Sequence, residues 1–303
     1  VIAGPIIRYK EISSQFLLRS HSNKLFYSGL TIIIFGLFKK IVLADNLALI
    51  ADFVFDSPVQ LPFYYYLIGT IGFSLQLYFD FSGYSDIAIG IGRCCGFDIP
   101  RNFNLPYQAK SVTEFWRRWH MSLTRWMRDY LYIRLGGNRQ GKYRTYFNLW
   151  FVFLLSGLWH GAAYNFLLWG AYHGFFLTFE KIFNKLIFGR FITLVIIFHS
   201  WIIFKSESIS EFLSYIKNMY DFSFHSSQIP FFIDFNPLRI FLLVGCIYFV
   251  HIRNNTNFVN NLYSIEAVDQ YGTYKLIFVL ILSLLVTITI FNNTASPFLY
   301  FRF

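Results

Sequence analysis

From Thr145 to Phe179 the chain runs for 35 residues without a single Lys, Arg, Asp or Glu. As one straight helix this stretch would be about 52 Å long, well beyond the ~30 Å hydrocarbon core of a bilayer, so it has to bend or break. The natural break is Ser156-Gly157-Leu-Trp-His160-Gly161-Ala-Ala, where two glycines flank Trp159 and His160. Two apolar segments result, with His160 near their deep end. A histidine in such surroundings is costly: it is either a neutral imidazole hydrogen-bonded between helices or a functional group.

Composition sets the same environment for the rest of the chain. Only 14% of residues are charged while 55% are hydrophobic and 22% aromatic, with 39 Phe and 21 Tyr. Soluble proteins carry about 25% charged residues, so the balance assigns a membrane protein with an aromatic interfacial surface. The net charge of +10 would suggest nucleic acid in a soluble chain. Its placement argues otherwise, because eleven Lys/Arg and three acids fall between Arg93 and Arg144, flanked by apolar runs. The positive-inside bias puts that stretch on the cytoplasmic side, facing anionic lipid or an anionic soluble substrate, and nucleic acid is not expected. Cys94, Cys95 and Cys246 lack metal-ligand spacing and receive no role. The start, Val-Ile-Ala-Gly-Pro, has neither initiator Met nor signal-peptide features, and reads as a piece of a longer protein lacking its N-terminal helices.

In chain order, Val1 to Lys24 reads as a polar loop and Leu25 to Phe38 as a span ended by Lys39-Lys40, which would snorkel to the headgroups. Ile41 to Phe55 reads as an interfacial helix. The 19 uncharged residues from Leu61 to Phe79 suffice for a span that stops at Asp80. The glycine-rich Phe81 to Gly92 then reads as a broken or re-entrant segment, with Asp86 as a helix cap or, together with Asp80, part of a polar pocket. Glu180 to Arg190 reads as a basic loop, and further apolar runs cover 191–204, 240–250 and 276–291. The whole, 1–303, is expected to be a single all-α membrane domain: polytopic transmembrane helices with re-entrant and interfacial helices around a central tunnel.

The stretch Phe115 to Leu131 reads as one amphipathic helix. Trp116, Trp119, His120, Leu123, Trp126 and Met127 project to one arc, and Arg117, Arg118, Arg125, Arg128 and Asp129 to the other. His120 is then a packed imidazole or a chemical group held in a dry place. His120 and His160 could converge on one cavity, where a near-neutral histidine suits removal of a proton from a hydroxyl that attacks an acyl group. His173 is a third histidine and equally a packing group. No phosphate loop, His-Glu-x-x-His pair or nucleophile elbow is present, and no metal site is expected. On these residues alone, acyl transfer, proton-coupled transport and glycan export all stay open.

Six motifs in order carry a resemblance: Asp80-Phe-Ser-Gly-Tyr-Ser-Asp86, Arg101-Asn-Phe-Asn-Leu-Pro-Tyr107, Phe115-Trp-Arg-Arg-Trp-His-Met-Ser-Leu123, Arg128-Asp-Tyr-Leu-Tyr132, Leu135-Gly-Gly-Asn-Arg139 and Leu158-Trp-His-Gly-Ala162. Together with Ala3-Gly-Pro-Ile-Ile-Arg8 and Pro297-Phe-Leu-Tyr-Phe they resemble the membrane-bound O-acyltransferase family, and within it the bacterial alginate and peptidoglycan O-acetyltransferase branch. The resemblance implies that His160 is catalytic, as general base or proton shuttle. It implies that His120 lines the same tunnel and positions or polarises the thioester or its acceptor. Trp116, Trp119, Trp159, Asp80, Ser82, Tyr84 and Asp86 are expected to line the tunnel, and Arg117, Arg118, Arg125 and Arg128 to face the donor. It further implies acetyl-CoA or another acyl-CoA as donor with no bound cofactor, and a bacterial inner-membrane location in contact with lipid. A periplasmic partner of SGNH esterase-like type would modify an exported glycan. The rivals are an exporter or proton-coupled transporter using the same pocket, and an acyltransferase of the same family acting on lipid or protein.

Overall fold

Two pairs of glycines bring the first long helices together. The computed structural model describes residues 4–19, 21–183, 189–223, 236–251, 260–265, 272–292 and 296–299, and every regular element among them is helical. After α1 (Tyr9–Leu17), α2 (Asn23–Leu37) continues through a π-helical stretch, Phe38–Ala44, into α3 (Asp45–Phe55). Helix α4 (Phe63–Cys94) runs back along this rod. A Cβ on Gly29 would lie 2.7 Å from the Gly90 carbonyl oxygen and one on Gly90 2.6 Å from that of Gly29; Gly36 and Gly83 stand in the same relation at 2.7 Å in both directions. The backbones touch at both points, two turns apart, as small residues permit between packed helices. The glycines of the 81–92 stretch therefore serve packing within one unbroken helix, and the expected re-entrant break is absent. Asp86 sits inside α4 and caps nothing.

The expected snorkelling of Lys39 and Lys40 is also overturned. Both are buried, at 5% and 4% exposure. Lys39 Nζ donates to Asp86 Oδ2 at 2.7 Å, and Lys40 Nζ to Asp80 Oδ1 at 2.6 Å and Asp45 Oδ1 at 2.8 Å. Tyr263 Oη donates to the other oxygen of Asp86, and Leu299 N to Asp80 Oδ2 at 2.9 Å. Lysines at a helix end have no reason to reach water when two carboxylates on the touching helix neutralise them in place.

Two short helices, α5 (Val112–Arg118) and α6 (Met121–Met127), follow, and the chain passes through a π-helical turn, Arg128–Tyr132, to α7 (Gly141–His160). Helices α7 and α8 (Tyr164–Phe183) form a hairpin whose bend falls at Gly161, where the sequence placed it. Helix α9 (Gly189–Lys205) packs on α8 and α4, followed by α10 (Ile209–Met219), α11 (Pro237–His251) and α12 (Gly272–Asn292). The main core joins α3, α4, α5, α8, α9 and α10, with Trp169, Trp201, Tyr65, Tyr107, Phe73 and Phe115 fully buried.

Among the described residues no helix is both long and apolar enough to cross a membrane. Helix α4 has the length, 32 residues or about 48 Å. Its apolarity is interrupted by Ser74, Gln76, Asp80, Ser82, Ser85 and Asp86, all buried against neighbouring helices. Helix α9 is apolar but has 17 residues. The N-terminal stretch expected to be a loop contains α1, fastened by Arg8, which donates to Glu11 and Asp129.

Three outcomes are expected. Gly83→Ala, whose Cβ has backbone oxygen within contact, should cost about 1–3 kcal/mol by overpacking and lower the melting temperature in detergent. Gly245→Ala, with nothing within 4 Å of its Cβ, should not. In a double-mutant cycle read by the same melting, Lys40→Met and Asp80→Asn should each destabilise by about 3–5 kcal/mol, and the double variant by less than their sum, because each single change leaves a buried charge. Burial raises the Glu11 pKa, but hydrogen bonds from the Arg8 side chain and main chain and the nearby Arg125 outweigh it and hold the carboxyl below its ordinary value. The hydrogen bond from Arg128, with Arg8 and Lys10 nearby, likewise holds Asp129 low against a smaller effect of burial. Folded values below unfolded ones mean that this fastening is complete above the unfolded carboxylate range of about 4. It is lost as pH falls through the folded values, so α1 amides should lose hydrogen-exchange protection in acid before those of α4.

Candidate active site

The helix expected over 115–131 is broken in the middle, and the break carries the histidine. Trp119 is extended and His120 takes a left-handed conformation at φ +43°, a strained backbone for a non-glycine residue. An unbroken helix would carry the ring around with the backbone; the break turns it independently of α5. Both short helices are capped from a distance. Glu180, on α8, accepts from Val112 N at 2.6 Å and Thr113 N at 2.9 Å, beside the Ser111 hydroxyl, which accepts from Glu114 N. The first amides of α6 go to Asn102: Met121 N donates to its carbonyl at 2.8 Å and Ser122 N to its side-chain Oδ1 at 3.1 Å. Asn104 N donates to Arg118 O at 2.9 Å, so the 102–104 stretch holds the break from both sides.

His120 and His160 line one cavity of about 30 Å³, together with Trp116, Trp119, Trp169, Trp201, Phe81, Phe204, Leu77, Asp80 and Leu299. This is the room of about one water molecule. His160, at the last turn of α7, packs against the edges of Trp169 and Phe204, with ring centroids 5.3 Å away in both cases. His120 meets Phe81 edge to face at 4.7 Å. Trp116 donates its indole N–H to His173 Nδ1 at 3.3 Å, and His173 lies against Trp169. Trp169, His173 and Glu180 share one face of α8, which thus packs on His160, holds Trp116 and caps α5.

A larger cavity adjoins on each side. One, of about 430 Å³, shares Trp116 and is lined by Arg117, Arg125 and Arg128 among apolar residues including Met121, Leu149, Val152 and Phe153. The other, of about 310 Å³, shares Asp80 and Leu299 and is lined by Asp45, Asn46, Asp52 and Gln76, whose buried Oε1 has no partner among the described residues.

Not every expected site residue reaches these cavities. Trp116, Trp119 and Asp80 line the histidine cavity, although both Asp80 oxygens are engaged, by Lys40 and by Leu299 N. Trp159 is half exposed and leans on Trp126, because its position on α7 points it away from α8. Asp86 is committed to Lys39 and Tyr263, Tyr84 packs on Phe298, and Ser82 is buried without lining the cavity. Arg118 is drawn to Glu114 one turn back and to Asn104 O, so it does not join the other three arginines. Asn102 and Glu180 were absent from the expected set, and His173, weighed as a third histidine or a packing group, holds Trp116. Asn102 lies within the Arg101–Tyr107 motif, which was its one sequence signal. Among the described residues no group of three or more His, Cys, Asp or Glu is placed to hold a metal ion.

Residues 1–193 match the family of membrane-bound O-acyltransferases. The chain is similar to a probable alginate O-acetylase AlgI of Pseudomonas syringae pv. tomato, 46% identical over 69% of this chain and 42% of the relative. It is 41% identical to a peptidoglycan O-acetyltransferase of Helicobacter pylori over 72% of this chain and 44% of the relative. It is 30% identical to a teichoic acid D-alanyltransferase of Bacillus subtilis over 61% of this chain and 49% of the relative. The chain thus spans less than half the length of these relatives. With the family match covering well over half of the chain, and with relatives of this identity, the chain belongs to the membrane-bound O-acyltransferase family and is a membrane-embedded protein.

Proposed function

We propose that this chain carries the reaction centre of a membrane O-acetyltransferase of the bacterial envelope. It takes an acetyl group from a cytoplasmic thioester donor such as acetyl-CoA and passes it to a hydroxyl presented from the outer side. The observation that carries this reading is the cavity that His120 and His160 share, bordered by an arginine-rich cavity through Trp116 and by a polar one through Asp80 and Leu299. Three arginines over an apolar floor suit a donor with an anionic head and an apolar arm. Carboxylates and amides suit a hydroxyl-rich acceptor.

In the reaction the acceptor oxygen attacks the thioester carbonyl carbon, the C–O bond forms and the C–S bond breaks. The hydroxyl proton passes to a histidine and from there to the departing thiolate, so no net proton is consumed and no bound cofactor is needed. We assign the shuttle to His160 and a positioning role to His120, and place Trp116 and Trp119 as walls that keep water from the thioester. Acetyl is favoured over other acyl groups because the relatives named as O-acetylating enzymes stand at 41–46% identity and the D-alanyltransferases at 30–31%. Exposed Leu276, Ile277, Leu280, Ile281, Leu284 and Ile288 on α12 suit contact with lipid, in line with a multi-pass protein of the bacterial inner membrane. The acceptor is assigned to an SGNH-type partner that modifies an exported polysaccharide.

In the full-length protein, His160→Ala should reduce acetyl transfer from acetyl-CoA by at least about 100-fold at unchanged melting temperature. Arg117→Ala combined with Arg128→Ala should raise KM for acetyl-CoA with kcat largely kept. Wild-type turnover in the His160 variant would overturn the assignment.

A further inference from the structure

The hydrogen bonds around His120 fix which of its nitrogens carries the proton. Asn102 is buried to 1% exposure, and its side-chain oxygen accepts from Ser122 N at 3.1 Å and from Ser122 Oγ at 2.8 Å. A backbone amide can only donate, so the Asn102 atom that meets it is the oxygen and the orientation of the amide is settled. The amide nitrogen then points the other way and donates to Ser85 Oγ at 3.2 Å. Ser122 Oγ, which gives its proton to Asn102, in turn accepts from Ile6 N at 3.0 Å. Into this closed set comes His120 Nδ1, 3.2 Å from the same Asn102 oxygen. An oxygen that only accepts requires a donor there, so Nδ1 carries hydrogen.

We propose that Asn102 is a positioning residue that holds neutral His120 as its Nδ1–H tautomer, so that Nε2 meets the reaction cavity as a hydrogen-bond acceptor. Asn102 itself does not line that cavity, which places it behind the ring and leaves Nε2 as the nitrogen on the cavity side. A ring in this state has no N–H to offer a thioester carbonyl. Of the roles open to His120, polarising the thioester is removed, and orienting the acceptor by accepting a hydrogen bond from its hydroxyl remains, with the proton shuttle left to His160. The same Asn102 caps α6 through Ser122 N, so the break that frees His120 and the bond that fixes its tautomer come from one side chain.

The inference rests on the acetyl-transfer reading for its consequence but not for its structure, and the test separates the two. Full-length protein labelled with nitrogen-15 histidine in detergent is read by magnetic resonance for ring tautomers, with the His120 signals identified by their loss in His120→Gln. Wild type should show hydrogen on Nδ1 of His120. Asn102→Asp keeps an acceptor for both Ser122 and His120 and should keep the tautomer, whereas Asn102→Leu should release it. Activity is followed as thiol release from acetyl-CoA. Asn102→Leu should lower kcat by about 10- to 100-fold, the usual effect of losing a ligand-orienting partner, with KM for acetyl-CoA within about twofold. Asn102→Asp should recover most of kcat and move the pH–rate profile to higher pH, because a negative charge added beside the ring favours the imidazolium, on top of the existing field of His160 and of Asp80, which face the cavity, and of Lys40, which neutralises Asp80 from behind. A wild-type Nε2–H tautomer, or an Asn102→Leu protein whose His120 tautomer is unchanged, overturns the proposal. The expected tautomers with unaltered turnover in every variant, His120→Gln included, support the positioning by Asn102 and overturn the acetyl-transfer reading of the site.

Discussion

The ion pair between Lys40 and Asp80 ties three separate parts of the chain together. Its lysine sits in the π-helical stretch between α2 and α3, and its aspartate lies halfway along α4. The segment 296–299 closes over both, with Ser296 Oγ and Pro297 O on the lysine and Leu299 N on the aspartate. Burying a cation and an anion is expensive and is repaid only when every remaining polar atom finds a partner. Here four oxygens, from Asp80, Asp45, Ser296 and Pro297, share the three hydrogens of the ammonium, and Leu299 N donates to the second oxygen of the Asp80 carboxylate. The pair can form because glycines let α2 and α4 approach to backbone contact, so the two aspartates lie within reach of two lysines adjacent in sequence. Its aspartate is also part of the wall of the histidine cavity, which couples the packing of the first four helices to the floor of the site.

A second constraint is local. A seven-residue helix has too few internal hydrogen bonds to be stable alone, because most of its amides and carbonyls lack partners. The segments on either side of His120 are both of this kind, and both are held by side chains distant in sequence: Glu180 on α5, Asn102 on α6. Without those caps the apolar spacing of Trp116, Leu123 and Met127 would favour one continuous helix with His120 rotated along it. The left-handed backbone at His120 is thus a cost imposed by tertiary contacts.

That accounts for what the sequence disclosed and what it hid. The bend at Gly161 was legible because 35 uncharged residues outrun the bilayer as one straight helix and two glycines flank Trp159 and His160 near the middle of the stretch. The approach of His120 to His160 was legible as convergence, though not the route to it, since helical periodicity carries no record of a break paid for elsewhere. Lys39 and Lys40 read as interfacial because snorkelling is the default for lysine at the end of an apolar run; only the register of α2 against α4 reveals that Asp86 and Asp80 stand opposite. Trp159 and Arg118 shared motifs with true cavity residues but differ in helical phase or in a nearer acid. Asn102 lay in a recognised motif, but its role could not be read because its partners, Ser85, His120 and Ser122, are far apart in sequence and meet only after folding.

The two sides of the histidine cavity differ in how they are closed. Toward the arginines the shared wall is Trp116, a single indole held by one hydrogen bond of 3.3 Å to His173 and by ring edges from Phe153 and Trp169. Toward the carboxylates the shared wall is Asp80 with Leu299, locked by charge and by a main-chain bond. Moving an indole past other aromatic edges forfeits contacts and one hydrogen bond between neutral groups, worth about 1 kcal/mol. Opening the Asp80 side strands a buried carboxylate and ammonium, which costs several times more. Of the two walls, the energetic ordering makes the tryptophan beside the arginines the one that yields more readily. The easier opening therefore lies on the side whose charge suits an anionic donor, and the stiffer wall on the side lined by acids.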